Sequence, residues 1–384
     1  MVELFVGGSA VIRRPNPIPH SGPIRVGIIG LGRSGWNIHA TCLRGMRGSY
    51  VITAVADTDA SRRVEAERDL GARSYADAEG LLADPQLDVV VVASPNRLHT
   101  PQACAAMLAA KHVVCEKPFG LSRRDADQMI RISKQTGRVL APFQNRRYEP
   151  HFLKVKEIID SGQLGRILQI RMVWSQFTRR WDWQTLRSCG GGSLNNHGAH
   201  LLDHALQLFG DAEPQVFADL QRSLTLGDAE DHVKLILHGP GSPTIDIESF
   251  SSCAYPGERW NIVGTRGGMR GTTDELRWKW MDWSVMPKRQ VDDGPVRGRI
   301  YQREEYDWHE EKWETPADAV SPYVQFYRDL EQSLRFGEPL FITPESVARQ
   351  ISVLEACHAM ADAALDTVPQ PKIVIKNTPA SPTP

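Results

Sequence analysis

The chain lacks the marks of several protein classes. Its 384 residues include six cysteines (Cys42, Cys104, Cys115, Cys189, Cys253 and Cys357), with no C-x-x-C pair and no short regular spacing. That excludes a disulfide framework or a cysteine-built metal knuckle, and reduced thiols in the cytoplasm are expected. Charge of one sign is missing too: 45 Lys and Arg stand against 46 Asp and Glu, so no field draws the chain to nucleic acid or to a membrane surface. The longest apolar run, Ala103 to Ala110, falls far short of the ~20 residues that a bilayer span needs. Arg13-Arg14 is followed by Pro15-Asn16-Pro17-Ile18-Pro19 rather than an apolar segment, so no export signal is expected. There is no repeat of fixed period and no low-complexity block. A chain of this length outgrows one core, and two domains are expected.

What is present is alternation. Ile24–Ile29, Val51–Ala56, Ala72–Tyr75, Leu87–Ala93, His112–Cys115 and Val139–Phe143 read as short buried strands. Helical stretches separate them: one to about Arg44, then Ala60–Leu70, Pro101–Ala110 and Arg123–Gln135. Strands buried on both faces and alternating with helices predict a doubly wound parallel sheet. After Arg146 the pattern changes. One helix, Pro150–Ser161, precedes the strand-like runs Ile167–Phe177, Val216–Leu224, Val233–Leu237, Thr244–Phe250 and Arg259–Gly264. Few long helices intervene, which predicts an open, mainly antiparallel sheet in an α/β second domain. The expected division is a Pro-rich arm at 1–23, a dinucleotide-binding domain at 24–146, a second domain at 147–343, a helix at 344–366 returning to the first domain, and a tail at 367–384.

The first strand runs into Gly30-Leu31-Gly32-Arg33-Ser34-Gly35, and a helix follows. In that setting Gly30 makes a tight turn, Gly32 lets backbone approach a pyrophosphate, and Gly35 lets the helix pack on the sheet. The helix N-terminus then faces the anion. Asp57 ends the second strand, where its carboxylate can accept from ribose hydroxyls and would repel a 2′-phosphate. NAD is therefore the expected cofactor, with NADP kept open by Arg33, Arg62 and Arg63 nearby.

Ligands of such sheets lie beyond the carboxyl ends of the strands. Ser94-Pro95-Asn96-Arg97-Leu98-His99 and Glu116-Lys117-Pro118 end the fourth and fifth strands. A lysine beside an alcohol carbon can stabilise alkoxide charge during hydride transfer. The glycine loop, Ser94-Pro95-Asn96 with His99, and Glu116-Lys117-Pro118, in this order, resemble the Gfo/Idh/MocA family, which includes glucose-fructose oxidoreductase and inositol dehydrogenase. The resemblance spans Ile24 to about Ala364. It implies a Rossmann domain, a second domain forming subunit contacts by face-to-face pairing, a catalytic Lys117, a structural Glu116 and a Pro118 often preceded by a cis peptide. The cofactor contacts expected are Gly30, Leu31, Gly32, Arg33, Ser34, Gly35, Asp57, Ser94, Asn96, His99, Glu116 and Lys117.

The richest stretch of the second domain is Cys189-Gly190-Gly191-Gly192-Ser193-Leu194-Asn195-Asn196-His197-Gly198-Ala199-His200-Leu201-Leu202-Asp203-His204. On a helix Asn196 and His200 share a face, as do His200 and His204. His200 can take a hydroxyl proton while Lys117 holds the oxygen. Related enzymes commonly carry Asp where this chain has Asn196; asparagine cannot act as a base, so Asn196 is expected to orient substrate. The rival reading is a metal site, since His200-x-x-x-His204 has ligand spacing with His197 and Asp203 close by; no metal is the reading adopted.

Ten tryptophans is a high number, and Trp174, Trp181 and Trp183 cluster before the glycine run, with Trp278, Trp280 and Trp283 further on. An aromatic face beside polar groups holds a sugar ring, although at least half of these side chains are expected in the core or an interface. Arg146-Arg147-Tyr148 and Arg179-Arg180 supply polar neighbours. The substrate contacts expected are Lys117, Arg147, Trp183, Asn196 and His200, with Lys117, His200 and Asn196 catalytic. The expected function is NAD(P)-dependent hydride transfer to or from a secondary alcohol of a sugar, polyol or glycoside, in a homodimer or homotetramer. The resemblance also admits an NAD-dependent glycosidase acting by transient oxidation, or a sugar or nucleotide sensor without turnover.

Overall fold

In a computed structural model, Ile18 and residues 21–365, apart from 292, 296 and 302, are described. Most of the arm expected at 1–23, the end of the helix expected at 344–366 and the tail at 367–384 lie outside them. The first domain runs β1 (Ile24–Ile29), a π-helical turn Arg33–Ala40 continuing into α1 (Thr41–Gly45), β2 (Tyr50–Ala56), α2 (Ala60–Leu70), β3 (Arg73–Tyr75) and α3 (Ala78–Leu82). It continues with β4 (Val89–Val92), α4 (His99–Leu108), β5 (His112–Cys115), α5 (Arg123–Thr136) and β6 (Leu140–Pro142). The six strands pair in the order β3-β2-β1-β4-β5-β6, all parallel, which is the doubly wound sheet expected. The four valines of β4 and all of β5 are buried because helices cover both faces. The chain punctuates these helices locally. Ser122 and Asp125 close a capping box on α5, Asp59 caps α2, and Gly137 and Gly71 end the two helices in the left-handed region.

The second domain contains α6 (Pro150–Asp160), β7 (Ile167–Val173), α7 (Ala199–Phe209), β8 (Gln215–Gln221), β9 (His232–His238), β10 (Thr244–Phe250) and β11 (Trp260–Gly264). It adds β12 (Gly267–Gly271), β13 (Glu275–Trp280), β14 (His309–Glu314), α8 (Pro322–Phe336) and α9 (Pro344–Leu365). Its eight strands pair in the order β14-β13-β12-β11-β7-β10-β9-β8, and of these only β7 and β10 run parallel. Inward residues such as Ile170, Met172, Leu235, Ile245, Ile247 and Ile262 form the core side. On the opposite side Arg171, Lys234, Asp246 and Glu248 form a ladder of ion pairs between exposed Leu168, Phe217 and Val263.

Three strands and two helices are absent from the sequence reading: β12 to β14, α3 and α8. β12 carries three glycines, and β14 is a charged edge strand, so neither has the apolar alternation that marks a half-buried strand. α8 has helical spacing in Phe326, Leu330 and Leu334, all buried. Although it falls within the span assigned to the second domain, it packs on the first: the Tyr50 hydroxyl donates to the Tyr327 carbonyl at 2.7 Å, and Phe143 meets Phe326 edge-on. α9 rests on both domains, with Lys134 paired to Glu345 and Arg349 donating to the Gly210 carbonyl.

Gly35 is the tightest of the loop glycines, since a Cβ there would lie 1.8 Å from the Gly30 carbonyl oxygen. Gly35→Ala is expected to lower unfolding stability by about 2–3 kcal/mol through overpacking, read as a fall in the denaturation midpoint; a midpoint equal to wild type would show that the helix does not depend on this approach.

Candidate active site

The phosphate loop forms where β1 ends. Gly30 turns at φ +91°, where a side chain would collide with the Ala93 carbonyl, whereas nothing lies within 4 Å of the place a Gly32 Cβ would take. Among the described residues no side chain caps the helical turn that begins at Arg33, which leaves its first N–H groups for an anion. Asp57 binds the loop from below: Oδ2 accepts the Leu31 N–H at 2.7 Å and Oδ1 the Asp59 N–H at 2.9 Å. Arg63 donates to the Asp57 and Thr58 carbonyls, and Arg62 lies between Asp57 and Asp59. This cradle fits a dinucleotide, with Gly32 as the approach and Asp57 as the carboxylate at the strand end.

Four of the expected cofactor contacts, Ser94, Asn96, His99 and Glu116, bond protein through their side chains. His99 is buried with Nδ1 and Nε2 each 2.9 Å from a carbonyl, of Pro118 and Ser94 respectively, and burial lowers its pKa. Set between two acceptor carbonyls, the ring links the two strand-end segments. Asn96 donates to the Gly190 carbonyl at 2.8 Å, tying the first domain to the glycine run of the second. Glu116 accepts from the Lys117 N–H at 2.9 Å and from His39 Nε2 at 3.2 Å, while His39 Nδ1 accepts from the Tyr327 hydroxyl at 2.7 Å. Because a carboxylate only accepts, this chain of donors fixes the His39 tautomer. Neither His39 nor Tyr327 figured in the sequence reading; histidine after a glycine loop and tyrosine in an unrecognised helix give no signal of their own. Ser94 bonds Gln102, and Arg33 is exposed.

Lys117 follows β5 and precedes a cis peptide to Pro118. Its Nζ donates to Asn196 Oδ1 across the domain boundary at 2.7 Å. Burial pushes its pKa down to about 8; Glu116 opposes this, and Arg146, Arg33 and Arg180 add to it. Asn196 sits on the helical turn Leu194–Gly198, and His200 opens the α7 helix one turn on. His200 is buried, its Nδ1 has no hydrogen-bond partner among the described residues, and burial followed by Arg146 and Lys117 holds it well below the usual imidazole range. It is therefore a neutral imidazole whose Nδ1 is buried and unpartnered. Trp174 completes the wall: His197 stacks on it at 4.4 Å, and the Arg146 guanidinium lies 4.5 Å from its centroid. A polar pocket adjoins this group, lined by Gln176, Arg180, Ser193, Asn196, His197 and Glu230. Glu230 accepts the Leu194 N–H at 2.9 Å, and burial raises its pKa to about 7. Gly192, at φ +110°, has no room for a side chain beside that carboxyl. Glu230 was invisible in sequence because only the docking of its loop on Gly192-Ser193-Leu194 brings it here.

Arg147 is a correction. It was expected to touch substrate, but it is buried and forked on Asp203 at 2.6 and 2.7 Å, so its neighbour Arg146 is the one at the site. Alternation on one short turn sends adjacent arginines opposite ways. Trp183 is partly exposed and is not among the residues lining the pocket; its neighbour Gln184 is. His204 does not join His200: it stacks on Phe152 at 3.8 Å and donates Nε2–H to the Arg146 carbonyl at 2.9 Å. Among the described residues no three His, Cys, Asp or Glu side chains converge as metal ligands.

Two family models match the chain. One, described as an oxidoreductase family with an NAD-binding Rossmann fold, covers residues 24–144; the other, the GFO/IDH/MocA C-terminal domain, covers residues 152–270. An uncharacterised oxidoreductase of Schizosaccharomyces pombe is 30% identical over 256 residues, which is 64% of this chain and 69% of that protein. The scyllo-inositol 2-dehydrogenase (NADP(+)) of Bacillus subtilis is 27% identical over 353 residues, covering 87% of this chain and 92% of its own length. The solved structure of an NAD-binding protein from Listeria innocua superposes with a TM-score of 0.76 at 25% identity, covering 90% of this chain and 99% of that one.

If Arg147 is structural, Arg147→Met leaves Asp203 as an unpaired buried charge and lowers stability by about 3–5 kcal/mol. Denaturation of the variant measures this; a normal midpoint with a raised substrate KM would return Arg147 to the substrate contacts.

Proposed function

Because the chain belongs to the Gfo/Idh/MocA family of oxidoreductases, we propose that it is an NAD(P)-dependent dehydrogenase acting on a secondary alcohol of a sugar or polyol, or the ketoreductase of the reverse direction. The observation that carries the reading is the Lys117–Asn196 contact near the His200 imidazole, whose Nδ1 is buried without a partner among the described residues. The dinucleotide would be held by the Gly30–Gly35 loop and Asp57, and when bound it supplies the acceptor or donor of hydride. The chain's own residues handle the proton and the oxygen. Lys117, as ammonium, donates to the substrate oxygen and stabilises the negative charge that builds there as the C–H bond breaks. His200, neutral and low in pKa, receives the hydroxyl proton. Asn196 accepts from Lys117 and aims its ammonium; its amide can also bond a second hydroxyl, but it takes no proton.

The inositol-dehydrogenase relative named above acts on a polyol, and the polar lining of the pocket suits a ring bearing hydroxyls. Asp57 supports NAD over NADP in this reading, because a 2′-phosphate would meet its charge, with the exposed Arg62 close to it and Arg63 bonded to the Asp57 and Thr58 carbonyls. The expected homo-oligomer would cover the outer face of the second sheet, where exposed Leu168, Phe217 and Val263 lie between the ion pairs.

Lys117→Ala is expected to reduce kcat by a factor of about 10²–10³, the loss typical of one donor to a developing oxyanion, with nucleotide affinity kept. Full turnover in that variant, followed at the reduced-nicotinamide absorbance with a panel of inositols, alditols and aldoses, would remove the assignment. The pH profile has a defined sign: the active lysine is charged, so kcat/KM for alcohol oxidation falls as pH rises through about 8, while the acid limb lies well below the ordinary imidazole range. Asp57→Ser is expected to shift the NADP-to-NAD ratio of kcat/KM about tenfold towards NADP, equivalent to about 1.4 kcal/mol; an unchanged ratio would show that Asp57 serves only the loop.

A further inference from the structure

Positive charge reaches the reaction centre from every side. Lys117 comes from the end of β5, Arg33 from the glycine loop, Arg146 from the segment before α6, Arg180 from the loop after β7 and Arg259 from the start of β11. Most of the carboxylates nearby are already committed. Glu149 takes Arg146 and His151, Asp182 takes Arg180, and Glu116 takes His39 and the Lys117 backbone. The other acids lining the pocket are bonded as well, Glu230 to the Leu194 N–H and Asp231 to the Ser223, Leu224 and Thr225 N–H groups.

Arg259 is the buried guanidinium of this group without a paired carboxylate. It is 8% exposed, and no carboxylate lies within 4 Å of it among the described residues; Glu149, bonded to Arg146 and His151, acts on it from further away. Of its five N–H donors, one makes a long bond to the Val173 carbonyl at 3.4 Å, and Nε is buried without any partner. The guanidinium carbon lies 4.6 Å from the Trp174 centroid, on the same ring that stacks with His197 and meets Arg146. A buried guanidinium with open donors is held at a cost that an incoming anion would relieve. Its position on the wall of the reaction centre tells which anion: one carried by the molecule that occupies the centre.

We propose that the substrate carries an anionic substituent, a carboxylate or a phosphate on a sugar or polyol ring, and that Arg259 with Arg146 receives it beside Trp174 while Lys117 and His200 act on a hydroxyl. This inference rests on the dehydrogenase reading and narrows it from neutral polyols to acidic sugars. A carboxylate and a phosphate would both suit the fork of donors, and matched probes separate them.

The test compares pairs that differ only in charge: D-glucose with D-glucuronate, D-galactose with D-galacturonate, and glucose with glucose 6-phosphate, each with NAD and the full chain. Nicotinamide reduction gives kcat/KM, and calorimetry on the NAD-loaded protein gives binding, with inorganic phosphate as a bare-anion probe. The expected result is a preference of tenfold or more for one acid class over its neutral partner, with the KM for the acid rising several-fold between low and high ionic strength. In Arg259→Met that preference falls at least tenfold, and in Arg259→Lys, which keeps the charge, it is largely retained. The wild-type comparison needs no variant, so a folding defect in Arg259→Met leaves it decisive. Equal or better turnover of the neutral partners overturns the inference and leaves the dehydrogenase reading standing. Acid binding lost in Arg259→Met, without nicotinamide reduction by any substrate, supports the inference and overturns the dehydrogenase. No binding of any acid overturns it outright.

Discussion

The structure depends on keeping one ammonium charged inside a protein. Lys117 is buried at the end of a parallel strand, an environment that favours the neutral amine, and its pKa falls to about 8. A single side chain cannot hold that balance. Behind it, Glu116 supplies a negative charge and is itself fixed by His39 and Tyr327, so a helix from late in the chain reaches the reaction centre through two hydrogen bonds. In front of it, Asn196 offers a carbonyl oxygen without charge. The first arrangement restrains the fall in pKa; the second orients the donor without adding to the restraint.

The same constraint explains the joint between the domains. Lys117 belongs to the first domain and its acceptor to the second, so a slip of an ångström would break the 2.7 Å contact. Short polar links hold the joint. Asn96 bonds the Gly190 carbonyl, Asn195 bonds the same carbonyl at 3.1 Å, and His358 of α9 meets Asn195 at 3.1 Å. The glycine run is therefore a hub for hydrogen bonds as well as a turn. At Gly192 the absence of a side chain also admits the Glu230 carboxyl against the start of the helix that bears Asn196 and His200. Loops with this density of bonds to buried partners are rigid scaffolds for a site, in contrast to the mobile surface loops that commonly carry function.

The first domain was largely legible in the sequence because its information is local. Val89–Val92 is buried on both faces whatever its partners, and a glycine loop between a strand and a helix has one geometry. Lys117, Asn196 and His200, singled out by position after a strand and by helical spacing, are brought close together by the fold. What was hidden depends on long-range packing. Arg146 and Arg147 are adjacent and chemically alike; only the placement of Asp203, 56 residues on, decides which of them is taken out of the site. Glu230 and Arg259 carry no motif, and their importance comes from what lies opposite them. His99 and Asn96 were recognised but given a ligand to hold, whereas their polar atoms join protein segments to one another.

Asn196 ties these features together. An aspartate there would set a second negative charge against Lys117, raising its pKa and that of the neighbouring imidazole. With asparagine the lysine, the low-pKa His200 and the arginines around Trp174 share a site whose acids are bonded elsewhere, and Arg259 keeps donors open within it. Two designs would make such an excess tolerable. Either the chain carries a counter-charge of its own, or the substrate supplies one on binding. Among the described residues no carboxylate pairs with Arg259 within 4 Å and Glu149 acts on it only from further away, and a cation buried without a paired carboxylate is expensive to keep for stability alone. Exchange of a protein carboxylate for a substrate carboxylate or phosphate gives the same electrostatic balance in the occupied site, and makes the balance conditional on the right molecule being there. Selectivity then follows from the open donors as much as from the pocket's shape, since a neutral ring leaves them unmet.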